Sequence, residues 1–244
     1  MEDVLWLIEI LIETHILGGL TRYSHRIRVC GEYGRSENSY GYRMSVIKTT
    51  YKELCTTISD INEHLPTLRA YSTECMTITE CGVRSAISSY AFADGLRFRK
   101  TGKLIMIDIK GSESVTKFLE RCKAENIEAT FHQADDLTSP IEDTDLLFID
   151  TWHVYGHMKR ELARWHSYAK KYIILHDTTV DADRGETIRN GWNAKEQSAK
   201  TGIPVEEINK GVWPAIEEFL AAHPEWILKE RFTNNNGLTV LQRV

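Results

Sequence analysis

The sequence predicts an α/β protein built on a Rossmann-like, doubly wound sheet of seven strands, mostly parallel, with a C-terminal antiparallel hairpin. Three observations carry this. From about Ser45 onward, apolar runs of strand length alternate with segments of helical period, the pattern of a parallel sheet covered on both faces. Two runs, DLLFID (145–150) and KYIILHD (171–177), are nearly all apolar before a terminal acid, as strands buried on both faces should be. The chain closes with WILKERFTNNNGLTVLQRV, two strand-like runs about an Asn-Gly turn signal.

Taken in order, residues 46–57 read as a helix, and Ser59-Asp60 can cap a second one ending near Tyr71. MTITECG (76–82) reads as a strand, 84–96 as a helix, KLIMIDIK (103–110) as a strand and 112–125 as a helix capped near Ser112 or Ser114. Glu128–Gln133 and 145–150 are strands, 154–169 a helix and 171–177 a strand. GVWPAIEEFLAAHP (211–224) contains a helix stopped near Pro224. The charged, Gly-containing segment 180–210 is expected to form part of a substrate lid.

Residues 1–45 differ in character. Their periodicity is weak, and GEYGRSENSYGYR reads as loop. We expect an N-terminal appendage over 1–45 and the α/β domain over 46–244. The apolar run Val4–Ile12 (VLWLIEILI) is too short to span a bilayer, contains Glu9, and follows Glu2 and Asp3 where a secretory signal would be basic. A short helix is expected there.

A hydrophobic fraction of 42%, a charged fraction of 27% and a net charge of -5 suit a soluble globular chain and argue against a nucleic-acid partner. Cys30, Cys55, Cys75, Cys81 and Cys122 contain no C-x-x-C pair, so free thiols in a cytoplasmic protein are expected. The expected partners are a small-molecule or glycan acceptor, with no nucleic acid and no membrane span. A homo-oligomer is left open.

In open α/β sheets, ligands bind at the carboxyl ends of the strands. The first strand runs into Glu80-Cys81-Gly82-Val83-Arg84-Ser85, where Gly82 permits a sharp turn and a following helix would aim free N–H groups at a ligand. Asp108, at the next strand end and followed by Ile109, can accept hydrogen bonds from ribose hydroxyls. One of Asp135 and Asp136, after the third strand, can accept from an adenine amino group. The next two strands end at Asp150 and Asp177, about 5 Å apart if the strands are neighbours. Two close carboxylates repel unless a proton or a cation such as Mg²⁺ lies between them. His153 is placed to act as general base beside Asp150. Trp152, Tyr155 and Trp192 could stack on a sugar or ring, and His176 could orient Asp177 or touch the acceptor.

The succession SDINEHLPTL, TITECGVRSAISSYAF, LLFIDTWHVYGHMKREL, KYIILHDTT and GVWPAIEEFL with NNNGLTVL resembles the cephalosporin hydroxylase and rhamnosyl O-methyltransferase group of class I methyltransferases. The resemblance covers roughly residues 46–244. It implies that S-adenosylmethionine is the cofactor. Glu80, Gly82, Val83, Arg84 and Ser85 would line its methionine and ribose part, Asp108 and Ile109 its ribose, and Asp135 or Asp136 its adenine. It implies methyl transfer to a sugar hydroxyl, such as one of rhamnose in a glycan, by in-line displacement. His153 would act as base, assisted by Asp150, and Asp150 with Asp177 would hold a Mg²⁺ ion. Related enzymes commonly carry a further acid next to the last of these. Here Thr178 stands there, leaving Asp181, Asp183 or Glu186 as substitutes, or a metal-free site. The rival readings are an NAD-dependent oxidoreductase, opposed by the single glycine and the closing hairpin, and a non-catalytic glycan-binding module on the same fold.

Overall fold

The computed structural model describes residues 45–99 and 101–244, together with two strands nearer the N-terminus. The chain divides into two units, Met1–Arg43 and Met44–Val244. In the first, β1 (Ile12–Leu17) pairs antiparallel with β2 (Leu20–His25), a hairpin that the weak periodicity of this region did not announce. Except for Ile12, the helix expected over Val4–Ile12 lies outside the described residues, as does the loop expected over 31–43.

The second unit holds a seven-stranded sheet. Its strands are β3 (Thr77–Cys81), β4 (Lys103–Asp108), β5 (Glu128–Gln133), β6 (Thr144–Ile149), β7 (Ala169–His176), β8 (Trp226–Phe232) and β9 (Leu238–Arg243). They lie in the order β5-β4-β3-β6-β7-β9-β8. Pairing is parallel from β5 through β7, and β9 runs antiparallel to both β7 and β8. This is the mixed, Rossmann-like sheet that the alternating pattern predicts. The chain reverses its direction of winding between β3 and β6, which opens a crevice at their carboxyl ends.

The apolar strand runs work because each face buries its own set. On one face, Leu104 and Met106 of β4, Leu146 and Phe148 of β6 and Ile174 of β7 pack with α2 (Leu65–Ser72), α3 (Ile87–Leu96) and α4 (Glu113–Ala124), and with Ile47 of α1 (Val46–Thr56). On the other, Ile105, Ile107, Leu147, Ile149, Ile173 and Leu175 pack with α5 (Tyr155–Trp165) and α9 (Trp213–Ala222). Alternate residues thus face opposite layers, as the pleat requires. Ser112 caps α4, its hydroxyl accepting from Val115 N–H at 3.2 Å.

Several boundaries differ from the sequence pattern, each for a local reason. The segment after α1 makes a 3₁₀ turn at Asn62–His64 before α2, because Pro66 lacks an N–H and fits only a first helical turn. Ser59 and Asp60 therefore do not cap α2; Asp60 instead pairs with Arg84 at 2.8 Å. α3 starts at Ile87, not 84, since Arg84 and Ala86 are left-handed at φ 48 and 64. β8 and β9 are joined not by a two-residue Asn-Gly turn but by a longer loop in which Asn235, Asn236 and Gly237 all have positive φ. Asn235 holds that loop in place, donating to Ser59 O at 2.8 Å and accepting from Glu63 N–H at 3.0 Å. Among the described residues, no helix is long and apolar enough to cross a membrane.

Phe148 is fully buried at the centre of the sheet, its ring 5.3 Å from that of Phe92 in an edge-on contact. We expect Phe148→Ala to cost about 3–5 kcal/mol. A urea denaturation midpoint within error of wild type would contradict this packing.

Candidate active site

The turn after β3 is built around one glycine. Gly82 has φ +85, and a Cβ there would lie 1.9 Å from the carbonyl oxygen of Asp150. Its N–H donates to Ile107 O, and Asp150 N–H donates to Cys81 O, both at 2.9 Å. The turn is thus stitched to β4 on one side and to the end of β6 on the other. Asp108 secures it further: Oδ2 accepts from the N–H groups of Val83 at 2.8 Å and Arg84 at 2.9 Å, while Oδ1 accepts from Lys110 N–H at 2.9 Å. Each oxygen has two lone pairs, so Oδ1 keeps acceptor capacity for a ribose hydroxyl. Glu80 lies beneath the turn with no exposed surface and accepts from the hydroxyls of Ser88 and Ser89. Burial pushes its carboxyl up to about 8, against the pull of those two donors.

A cluster of acids and imidazoles sits at the neighbouring strand tips. β6 and β7 are adjacent, as expected, and Asp150 and Asp177 follow them. Asp177 is left-handed at φ 57, an uncommon conformation for a residue with a Cβ. His153 lies between the two acids, with Nε2 3.2 Å from Asp150 and Nδ1 3.1 Å from Asp177. Glu186 lies 3.5 Å from the same Nδ1. His176 Nδ1 is 3.2 Å from Asp150 and 3.3 Å from Asp177, from below. Burial disfavours a charge on His153, but the carboxylates of Asp150, Glu186 and Asp177 hold its pKa well above the ordinary value. Burial likewise opposes ionisation of Asp150, yet His176 and His153 hold its carboxyl well below the usual range. For Asp177 burial prevails and its pKa is raised.

These residues suit a divalent ion. One donor atom from each of Asp150, His153 and Asp177 lies within 4.8 Å of the others. Both ring nitrogens of His153 and Oδ1 of Asp177 are buried without an aligned hydrogen bond, despite the short distances. Of the substitutes considered for a further ligand, Asp181 is engaged bidentately by Arg189 at 2.7 Å, Asp183 is exposed, and Glu186 faces the cluster.

Both features meet in a cavity of about 620 Å³. Gly82, Arg84, Asp108, Ile109, Asp135 and Asp136 line one part of it, and Asp150, Trp152, His157, Arg160 and Glu186 another. Not every residue singled out from sequence reaches it. Glu80 and Val83 are buried beneath the turn, Ser85 is exposed away from the lining, and His153, His176 and Asp177 stand behind Asp150 and Glu186. Tyr155 is directed elsewhere: its hydroxyl donates to Glu218 at 2.6 Å, and Lys210 sits 3.9 Å above its ring. Asp135 is exposed at the rim, whereas Asp136 turns into the wall beside His157.

The expected lid segment is three short helices, α6 (Glu186–Arg189), α7 (Ala194–Thr201) and α8 (Val205–Asn209). It adds Trp192, Gln197, Lys200, Thr201 and Ile203 to the lining. Thr187 ties it to the wall, accepting from Trp152 Nε1 at 3.2 Å and donating to Gln197 at 2.6 Å. Glu186 N–H donates to His153 O at 2.8 Å. Sequence reading missed His157 and Glu161, although their i, i+4 spacing places both on one face of α5.

Residues 79–178, from β3 to just past Asp177, match a family model described as a methyltransferase domain. Solved structures share the fold at low identity. A Corynebacterium glutamicum protein aligns with a TM-score of 0.54 and 12% identity, covering 81% of this chain and 89% of its own. The O-methyltransferase of Bacillus cereus, solved with S-adenosylhomocysteine, gives 0.50 and 15%, covering 80% and 91%. The O-methyltransferase TomG of Streptomyces achromogenes, solved with S-adenosylmethionine, gives 0.50 and 13%, covering 81% and 87%. No curated protein matches the sequence.

The buried acid under the turn has a measurable consequence. With a folded pKa of about 8 against an ordinary 4.5, Glu80 favours the folded state fully below pH 4.5, and that contribution is lost as pH rises toward 8. In the ligand-free protein we expect Glu80→Gln to remove up to about 1.4 kcal/mol per pH unit of this decline. Parallel stability curves for variant and wild type between pH 5 and 8 would show Glu80 to be ionised throughout.

Proposed function

We propose that the chain is an S-adenosylmethionine-dependent O-methyltransferase acting on a sugar hydroxyl, with residues 46–244 as its catalytic domain and 1–45 as an appendage. The observation that carries this reading is one cavity lined both by the Gly82–Asp108 turn and by the outer residues of the acid–imidazole cluster. The first part suits a nucleoside: the absent Cβ at Gly82 and the N–H groups around it admit a ligand closely, Asp108 can take a ribose hydroxyl, and Asp135 stands at the rim for an adenine amino group. S-adenosylmethionine, with which the O-methyltransferase TomG of similar fold is solved, would supply an activated methyl carbon there.

The acceptor part suits a hydroxyl that must lose its proton. A sugar hydroxyl is a weak acid, so it needs a base, a cation or both. Asp150 and Asp177 would hold a divalent ion such as Mg²⁺, which supplies positive charge for the developing oxyanion and offsets the carboxylates that keep His153 protonated. His153, its Nε2 3.2 Å behind Asp150, would accept the hydroxyl proton, with Asp177 and Glu186 lying 3.1 and 3.5 Å from Nδ1. Trp152 and the half-exposed Trp192 flank the space and offer apolar faces to a sugar ring, a deoxyhexose such as rhamnose being our proposed acceptor. Holding donor and acceptor in one cavity provides several kcal/mol through proximity, on the order of 7–11 in favourable cases. Free thiols at Cys55, Cys75, Cys81 and Cys122 accord with a cytoplasmic protein.

Two measurements test this. His153→Ala should bind S-adenosylmethionine and Mg²⁺ as wild type does in calorimetry while kcat falls about 10²–10⁴-fold. Unchanged turnover removes His153 from the chemistry, and loss of Mg²⁺ makes it a ligand instead. EDTA should abolish methyl transfer to rhamnosides and Mg²⁺ should restore it; full activity in EDTA means the reaction runs without a metal.

A further inference from the structure

The same cavity holds a second group of ligand-type side chains, made of other residues. Asp136 lies in the turn after β5, and His157 and Glu161 lie on successive turns of α5. One donor atom from each falls within 4.8 Å of the others. His157 Nε2 is 3.3 Å from Asp136 Oδ1 and 3.7 Å from Glu161 Oε1. Asp136 and His157 line the cavity, and Glu161 stands behind them with no exposed surface. Asp136 Oδ2 and Glu161 Oε2 are buried and receive no hydrogen bond from any other residue, so that with both acids ionised they are unpaired and only a proton shared between them, or a cation, can satisfy them. Native proteins seldom leave such oxygens unpaired, because a buried carboxylate without a donor or cation is costly. Thr151 fixes the remaining Glu161 oxygen, donating to Oε1 at 2.6 Å, the kind of outer hydrogen bond that orients metal ligands.

We propose that Asp136, His157 and Glu161 form a divalent-cation site distinct from Asp150 and Asp177, its open side facing the cavity. One imidazole nitrogen with two carboxylate oxygens suits a first-row ion such as Mn²⁺ or Zn²⁺. Without the ion, protons balance the same charges. Burial raises the Glu161 carboxyl to about 8. Burial opposes a charge on His157, yet Glu161 and Asp136 raise its imidazole to about 9. The ion therefore competes with protons for this site. Bound, it clamps the turn that carries Asp135 to the helix that carries Arg160, and so joins two walls of the cavity. Nothing in this argument depends on methyl transfer.

The test counts Mn²⁺ bound to the full chain at neutral pH, by equilibrium dialysis with electron paramagnetic resonance of the free ion. Glu161→Gln, which mimics the protonated acid, should lose one equivalent relative to wild type. His157→Asn, at the cavity face, should lose the same one and serves if Glu161→Gln does not fold. Asp177→Asn should lose a different equivalent, so that the double variant with Glu161→Gln loses both. Saturating Mn²⁺ should also raise the Tm of wild type more than that of Glu161→Gln. Undiminished Mn²⁺ binding in Glu161→Gln and His157→Asn overturns the proposal, as does a double variant that loses only one equivalent when each single variant has also lost one. If Asp177→Asn loses nothing while Glu161→Gln loses one, this site stands and the metal at Asp150 and Asp177 falls.

Discussion

At Gly82 the backbone of the β3 turn comes so near the carbonyl of Asp150 that no side chain fits between them. That approach is the constraint on which the site rests. It lets Cys81 O accept from Asp150 N–H, so the end of β6 is fixed against the turn rather than merely following it. Asp108 fixes the other side of the turn with two backbone hydrogen bonds. A larger residue at position 82 would both force an unfavourable φ and push Asp150 outward, separating the two parts of the cavity. The shape of the β3 turn and the placement of Asp150 are therefore one structural problem with one solution.

The second constraint is electrostatic. Asp150, Asp177 and Glu186 surround a single buried imidazole, with His176 packed below. Buried charges of this density are tolerated only when each has a partner, and two neighbours are drawn off by other groups. Arg189 takes Asp181 from the cluster, and Thr239 donates to Thr178. The left-handed backbone at Asp177 is part of the same arrangement, a local cost at the site offset by the rigid strands below it.

The sheet was legible because its signal is the alternation of apolar residues, and burial on both faces writes that signal strongly into β4, β6 and β7. The tips were legible for the same reason, since an acid ending an apolar run stands out. Helix starts were not: residues 84–86 look helical, but two of them adopt left-handed angles that composition does not encode. Tyr155 appeared to be a stacking residue only because it follows Asp150 closely in sequence; as the first residue of α5 its ring turns toward Lys210. His157 and Glu161 escaped notice because attention to strand ends passes over a helix whose polar face looks solvated but is sealed by the turn at Asp136. The lid residues could be placed as a segment but not singly, because Trp192 and Lys200 reach the cavity through three short helices without a repeating pattern.

The position of β9 has a consequence for how the chain is made. Its residues, 238–243, follow every other strand of the sheet along the chain, yet they insert between β7 and β8 and pair with both. Until they arrive, strand β7, buried from Tyr172 to His176, presents an open, largely apolar edge, a template for pairing with other chains. A ribosome that stopped after Phe232 would release a polypeptide with its cavity residues complete and its sheet unsealed. Translation errors in this short stretch should therefore show themselves as aggregation in the cell rather than as weakened ligand binding.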